Sequence, residues 1–97
     1  MIVRHFLLSV NETNCYVVVC EKTGDAVLID PGALDPAVAT CIASQDVHLT
    51  GIFITHDHYD HTGALADTIA RHKVPVFAGS PLVAGCKART LGPCAVR

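Results

Sequence analysis

The 97-residue sequence has few charged residues: Asp, Glu, Lys and Arg make up 16% of it, against about 25% in ordinary globular domains. Its net charge of -2 gives no basic surface of the kind that nucleic acids or anionic membranes attract. The apolar stretch Phe6-Leu7-Leu8 is too short for a membrane span or the core of a secretion signal. We therefore expect a small single domain with neither nucleic acid nor a membrane as partner.

Paired cysteine motifs are also missing. None of the five cysteines forms a Cys-x-x-Cys pair, the pattern typical of structural metal sites and redox centres. They lie at Cys15, Cys20, Cys41, Cys86 and Cys94. An odd number without that pattern favours reduced thiols, so we predict a cytoplasmic protein.

Histidine and acidic residues are absent from the last part of the chain. Residues 73–97 contain no His, Asp or Glu, but they include Lys73, Lys87, Arg89 and Arg97. The Gly and Pro residues of this segment interrupt it, and it shows little of the hydrophobic periodicity that predicts a helix or strand. We predict a first unit over residues 1–80 and a basic tail of uncertain structure over residues 81–97.

Apolar runs separated by turn residues predict alternating strands and helices, and hence an α/β fold. The predicted strands cover residues 1–10, 15–20, 26–29, 49–55 and 74–78. The predicted helices cover residues 36–45 and 62–72, the first introduced by Asp35 as N-cap and Pro36. A polar turn over residues 11–14 predicts that the first two strands form a hairpin.

The chemistry of the chain is concentrated in His56-Asp57-His58-Tyr59-Asp60-His61, directly after an apolar strand. Imidazole and carboxylate are donors that zinc accepts, and iron and manganese accept them too. Side chains two apart on an extended loop face the same way, so His56 and His58 can bind one ion while Asp60 and His61 turn to another. Two ions roughly 3.5 to 4 Å apart can bind a shared water and lower its pKa toward about 7.

Several neighbours of the cluster have simpler interpretations. We interpret Tyr59 as a pocket wall and Asp57 as a source of negative potential. His5, His48 and His72 are interpreted as ordinary residues at strand edges or at a helix end.

The run Thr55-His56-Asp57-His58-Tyr59-Asp60-His61 resembles the His-x-His-x-Asp-His signature of the metallo-β-lactamase superfamily. Thr13-Asn14-Cys15-Tyr16 is similar to its early hairpin motif, and Leu28-Ile29-Asp30-Pro31-Gly32 to its short strand ending in aspartate. The resemblance is to the amino-terminal half of a glyoxalase-II-like hydrolase. It implies half of an αββα sandwich, a mixed sheet with helices on one face and the second half missing.

That resemblance also implies roles for individual residues. His56 and His58 would hold the first zinc, and Asp60, which is also the predicted catalytic residue, would hold the second with His61. Asp30 would support the loop as a hydrogen-bond acceptor. The implied activity is hydrolysis of a small-molecule thioester, of the hydroxyacylglutathione type, by a metal-bound hydroxide.

The sequence departs from the family pattern in one respect. A complete family site also uses two later histidines and a bridging aspartate, which residues 73–97 do not supply. One alternative is therefore a truncated, inactive metal-binding fragment or one piece of a split or partnered protein. A zinc sensor or structural zinc site is a third possibility. Without an opposing sheet, one sheet face would be uncovered, and we expect self-association through it.

Overall fold

The computed structural model describes residues 1–56, 58–80 and 82–90. Within these ranges the chain forms strands and helices in the following order: β1 (Ile2–Leu7), β2 (Asn14–Val19), β3 (Asp25–Ile29), α1 (Pro36–Ile42), β4 (His48–Phe53), α2 (Tyr59–Thr62), α3 (Leu65–His72), β5 (Val76–Ala78), β6 (Leu82–Val83), β7 (Cys86–Lys87) and β8 (Arg89–Thr90). Each of the five predicted strands is present, with bounds that differ by up to three residues.

The main sheet contains six strands in the order β1-β2-β3-β4-β5-β8. β1 and β2 form the predicted antiparallel hairpin, with His5 opposite Tyr16, and β3 is antiparallel to β2. From β3 onward the neighbouring strands are parallel. The carboxyl ends of β3 and β4 therefore lie side by side at one edge of the sheet, and this brings the loops after them together.

One face of the sheet carries the hydrophobic core, as the strand period of two requires. Leu28 on β3, Ile52 on β4 and Leu65 of α3 are fully buried in one cluster. Alternating residues of β2 and the apolar side of α1 belong to the same cluster: Cys15, Val17, Val19, Val38 and Ile42. The predicted fold class, a mixed sheet with helices on one face, is confirmed.

The other face, which we call the open face, has no helix packed on it among the described residues. It carries half-buried apolar side chains along the inner strands: Tyr16, Val18, Val27, Ile29, Phe53 and Phe77. The rings of Phe53 and Phe77 lie 5.1 Å apart between centroids. Such an apolar surface is the physical basis for the self-association expected from the sequence, which stays a prediction.

The helix predicted over residues 62–72 was wrong in its bounds. Two helices, α2 and α3, occupy this region, because the chain is interrupted at Gly63 and Ala64. The Ala64 N–H donates to Pro31 O at 2.8 Å and so leaves the helical hydrogen-bond pattern. A long-range contact with the loop after β3 therefore overrides the local helical periodicity.

Two further bounds also differ from the prediction. α1 ends at Ile42 instead of residue 45, because the chain turns there, with Val47 N–H donating to Ser44 O at 3.1 Å. β5 begins at Val76, directly after Pro75, which has no N–H for the sheet.

The predicted tail over residues 81–97 is described only in part. β6 and β7 pair with each other, and β8 joins the main sheet beside β5, where the Arg89 guanidinium lies 5.7 Å from the centre of the Phe77 ring. Residues 91–97 lie outside the described residues, and the boundary near residue 80 stays a prediction. No helix in the described part of the chain is long and apolar enough to cross a membrane.

Candidate metal centre

The candidate site lies where β3 and β4 end side by side. Asp30 directly follows β3, and its N–H donates to Phe53 O at the end of β4 at 3.0 Å. The segment from Thr55 to His61, called here the metal loop, directly follows Ile54 and includes the first three residues of α2. His58 is the N-cap of α2, so Asp60 and His61 lie in its first turn. The parallel sheet thus brings two segments far apart in sequence to one point.

Three imidazoles of the metal loop converge. The ring centroids of His56 and His61 are 4.9 Å apart, those of His56 and His58 are 5.9 Å apart, and those of His58 and His61 are 6.4 Å apart. His56 and His58 are exposed, whereas His61 is partly buried. Asp57 lies outside the described residues. The predicted histidine ligands are therefore close together at the surface, where they are accessible to a metal ion and a substrate.

Asp30 is the buried anchor of the metal loop, with 4% of its surface exposed. Its Oδ1 accepts the Thr55 N–H at 2.8 Å, and its Oδ2 accepts from the Thr55 hydroxyl and lies 2.9 Å from His61 Nδ1. Asp30 therefore supports the loop as a hydrogen-bond acceptor, as the family resemblance implied. Its backbone φ of 55° is in the left-handed region, which Asp and Asn adopt more readily than most residues.

These hydrogen bonds also determine which ring nitrogen carries the proton. A carboxylate only accepts, so His61 donates from Nδ1 to Asp30, and in the neutral imidazole the lone pair is then on Nε2. The Thr55 hydroxyl gives its single proton to Asp30 and must accept from His56 Nδ1, 2.9 Å away. His56 also keeps Nε2 free. One buried carboxylate thereby prepares two imidazoles to bind a metal through Nε2.

Asp60 lies in α2 with its carboxylate about one-fifth exposed. Its Oδ2 accepts from the Thr13 hydroxyl at 3.3 Å, and its Oδ1 lies 3.9 Å from His61 Nε2. Asp60 and His61 therefore direct an oxygen and a nitrogen toward the same small region. This is the pair that the sequence assigned to the second ion.

Two glycines allow the loop after β3 to contact the metal loop. A Cβ on Gly32 would lie 1.8 Å from Asp60 O, and a Cβ on Gly63 would lie 2.0 Å from Gly32 O. A side chain at Gly32 would require the backbone of Asp60 to move, and one at Gly63 would require the backbone of Gly32 to move. The two segments therefore pack backbone against backbone, which fixes their relative position.

The donor atoms of Asp30, His56 and His61 all lie within 4.8 Å of one another. This set differs from the predicted ligands His56, His58, Asp60 and His61. Asp30 already accepts from Thr55 and His61, so its oxygens are engaged in supporting the loop. The nitrogen and oxygen donors around it suit a divalent transition metal. Ligation by the four predicted residues stays a prediction.

Sequence reasoning missed the hydroxyl and amide groups that hold this site. Thr55 contacts both Asp30 and His56, and its position directly before the first histidine was a usable signal.

Two further hydrogen bonds each join residues more than forty positions apart in sequence. The Thr13 hydroxyl donates to Asp60, and Asn11 Nδ2 donates to the Tyr59 hydroxyl at 2.6 Å. The predicted role of Tyr59 as a pocket wall stays a prediction. Tyr59 is 70% exposed.

Comparison with known proteins identifies the family. The sequence model of the metallo-beta-lactamase superfamily matches residues 8–95. The chain belongs to this superfamily. The match includes the loop after β3, the metal loop and the described strands after α3.

Among curated relatives of this superfamily member, hydroxyacylglutathione hydrolase from Hahella chejuensis is 46% identical over 54 residues, which are 56% of the chain and 21% of the relative. The corresponding enzyme of Alkalilimnicola ehrlichii is 44% identical over 52 residues, 54% of the chain and 20% of the relative. The chain therefore matches about a fifth of the length of these relatives.

Solved structures of the superfamily share the fold. ETHE1 from Myxococcus xanthus is 34% identical with a TM-score of 0.77, covering 95% of the chain and 41% of that protein. The B3 metallo-beta-lactamase BLEG-1 is 25% identical with a TM-score of 0.70, covering 95% of the chain and 50% of that protein. TTHA1623, solved in a di-iron-bound form, is 28% identical with a TM-score of 0.64, covering 76% of the chain and 36% of that protein. The chain is thus similar to half or less of each.

Proposed function

We propose that this chain carries the metal-binding half of a metal-dependent hydrolase that cleaves small-molecule thioesters of the hydroxyacylglutathione type. The observation that supports it best is the Asp30 carboxylate, which orients His61 directly and His56 through Thr55, so that both imidazoles offer Nε2 to one region. A carboxylate that sets the tautomer of histidines is typical of metal sites. The similarity to the hydroxyacylglutathione hydrolases of Hahella and Alkalilimnicola supports the thioester substrate class.

In this proposal His56 and His58 hold one ion, and Asp60 and His61 hold a second. We propose zinc, although imidazole and carboxylate donors also bind iron and manganese. A bound ion would lower the pKa of its water toward about 7 and polarise the carbonyl of the substrate. The protein supplies the orientation, because Asp30 and Thr55 hold the rings and Asp60 offers a carboxylate oxygen beside His61 Nε2.

A second candidate function follows from the ligands that this chain supplies. Each predicted sub-site has two protein ligands, whereas a catalytic zinc has three and an open position. Residues 73–97 add no His, Asp or Glu. The second candidate is therefore a catalytically silent metal-binding unit, or one piece of a split or partnered protein, whose metal affinity does not lead to hydrolysis.

The two candidates are separated by hydrolysis assays on the full chain. S-acyl glutathione thioesters, lactones and β-lactams are incubated with the protein, with and without added zinc, iron or manganese. The hydrolase proposal predicts metal-dependent thioester cleavage that is lost in the double variant His56→Ala/His58→Ala. His48→Ala serves as the control, because His48 begins β4 at the opposite end from the metal loop. Metal binding without cleavage of any substrate supports the second candidate.

A further inference from the structure

The turn between β1 and β2, residues 8–13, makes two hydrogen bonds to the metal loop. The Thr13 hydroxyl donates to Asp60 Oδ2, and Asn11 Nδ2 donates to the Tyr59 hydroxyl at 2.6 Å. The turn therefore contacts two consecutive residues of α2, one of them a predicted ligand. The Thr13–Asp60 pair is separated by 47 residues in sequence and depends on the folded sheet.

Thr13 is held firmly enough to direct its hydroxyl. Only 6% of its surface is exposed. Its N–H donates to Val10 O at 3.1 Å, and its carbonyl accepts from the Leu8 N–H at 2.9 Å. Because threonine is branched at Cβ, its side chain has few rotamers. Backbone and rotamer together aim the hydroxyl at Asp60, with Oγ1 3.3 Å from Oδ2, a long hydrogen bond for a hydroxyl donor.

The two oxygens of Asp60 consequently have different surroundings. Oδ2 faces Thr13, whereas Oδ1 lies 3.9 Å from His61 Nε2, which carries a free lone pair. We propose that Thr13 is a positioning residue for the candidate metal centre. Its hydroxyl holds Asp60 Oδ2, so that Asp60 binds a divalent cation through Oδ1 alone. This inference rests on the proposed function, because it needs metal binding at Asp60 and His61.

The shape of the turn supports this role. Asn11 and Glu12 are consecutive residues with φ of 49° and 50°, a left-handed conformation that glutamate seldom adopts. That conformation lets the turn bend back so that Asn11 reaches Tyr59 while Thr13 reaches Asp60. The Asn11–Tyr59 hydrogen bond is a second attachment of the turn to the start of α2.

The experiment titrates the full chain with Co²⁺, whose ligand-field spectrum reports the donors around the ion, and with Zn²⁺ in competition. Thr13→Val removes the hydroxyl and keeps the shape, and Thr13→Ser retains the hydroxyl. Thr68→Val is the matched control, because Thr68 is equally buried and its hydroxyl donates to Ala64 O within α3. Thermal unfolding shows whether each variant is folded, and Thr13→Ala replaces Thr13→Val if the latter is not.

We expect Thr13→Val to weaken Co²⁺ and Zn²⁺ binding about 10- to 100-fold and to change the Co²⁺ spectrum. Thr13→Ser and Thr68→Val should resemble the wild type, and Thr13→Val should have no further effect in an Asp60→Asn background. If the wild type binds metal and Thr13→Val binds it with unchanged affinity and spectrum, this inference is overturned while the proposed function stands. If the wild-type chain binds neither ion, both are overturned.

Discussion

His61 Nδ1 lies 2.9 Å from Asp30 Oδ2, although the two residues are 31 positions apart in sequence. The contact exists because β3 and β4 are parallel neighbours whose carboxyl ends meet at one edge of the sheet. It orients one imidazole, and through Thr55 the same carboxylate orients His56. The candidate metal centre is thus organised by a buried residue that is not itself among the predicted ligands.

Replacing Asp30 with Asn should weaken metal binding about 10- to 100-fold, as is typical when the partner of a ligand histidine is lost. An amide has one acceptor oxygen where the carboxylate has two, so the contacts with Thr55 and His61 cannot all be kept. Asn tolerates the left-handed backbone at this position. The measurement is zinc titration calorimetry, with Asp25→Asn at the other end of β3 as control. Equal affinity in the two variants would contradict the role of Asp30.

The tautomers of His56 and His61 can be measured directly. We expect both rings to carry the proton on Nδ1 in the metal-free chain, as read from the ¹⁵N chemical shifts of the imidazoles. Thr55→Val removes the hydroxyl that links Asp30 to His56, so the tautomer equilibrium of His56 should shift. His61 keeps its contact with Asp30. Thr50→Val, which removes a hydroxyl bonded to Ala26 O in β3, is the control. Protonation of Nε2 on both rings in the wild type would refute the hydrogen-bond assignment.

A side chain at Gly32 should disrupt the packing of the loop after β3 against the metal loop. Gly32→Ala places a Cβ 1.8 Å from Asp60 O, so backbone must move. We expect a loss of about 3 kcal/mol or more in the free energy of unfolding, at the upper end of overpacking effects, with weaker metal binding. Gly79→Ala is the control, since its Cβ would meet nothing within 4 Å. Denaturant unfolding measures the free energy of unfolding of both variants. Similar values for Gly32→Ala and Gly79→Ala would show that the contact at Gly32 is not tight.

Cys15 should make stability depend on alkaline pH. Burial, followed by the charge of Asp30, raises the pKa of its thiol from 9.0 to about 12. The folded protein then holds this proton more tightly than the unfolded chain, so stability is fully present below pH 9 and is lost as the pH rises toward 12.

The measurement is the free energy of unfolding against pH for Cys15→Ala and the wild type. We expect the alkaline decline to be smaller in the variant, whatever its stability at neutral pH. Cys20→Ala is the matched control, because Cys20 is exposed and a hydrogen bond with the Thr23 side chain lowers the pKa of its thiol. An alkaline decline of the same size in Cys15→Ala and the wild type would exclude Cys15 as its source.

Much of this arrangement could be predicted from the sequence, because it depends on local patterns. The apolar runs predicted β1 to β5, and the run of histidines and aspartates after β4 indicated the candidate site. The break at Gly63 could not be predicted, since it arises from the contact with Pro31 and Gly32. The link from Thr13 to Asp60 was missed for the same reason. β8 is two residues long and too short to show a period.

The central claim is that the metal loop binds divalent cations, and calorimetric titration of the full chain with zinc, iron and manganese tests it most directly. The account predicts saturable binding by the wild type, retained in His48→Ala and reduced in His56→Ala/His58→Ala, which lacks the ligands proposed for the first ion. Binding that is absent for all three metals, or that is unchanged by the double substitution, would contradict it.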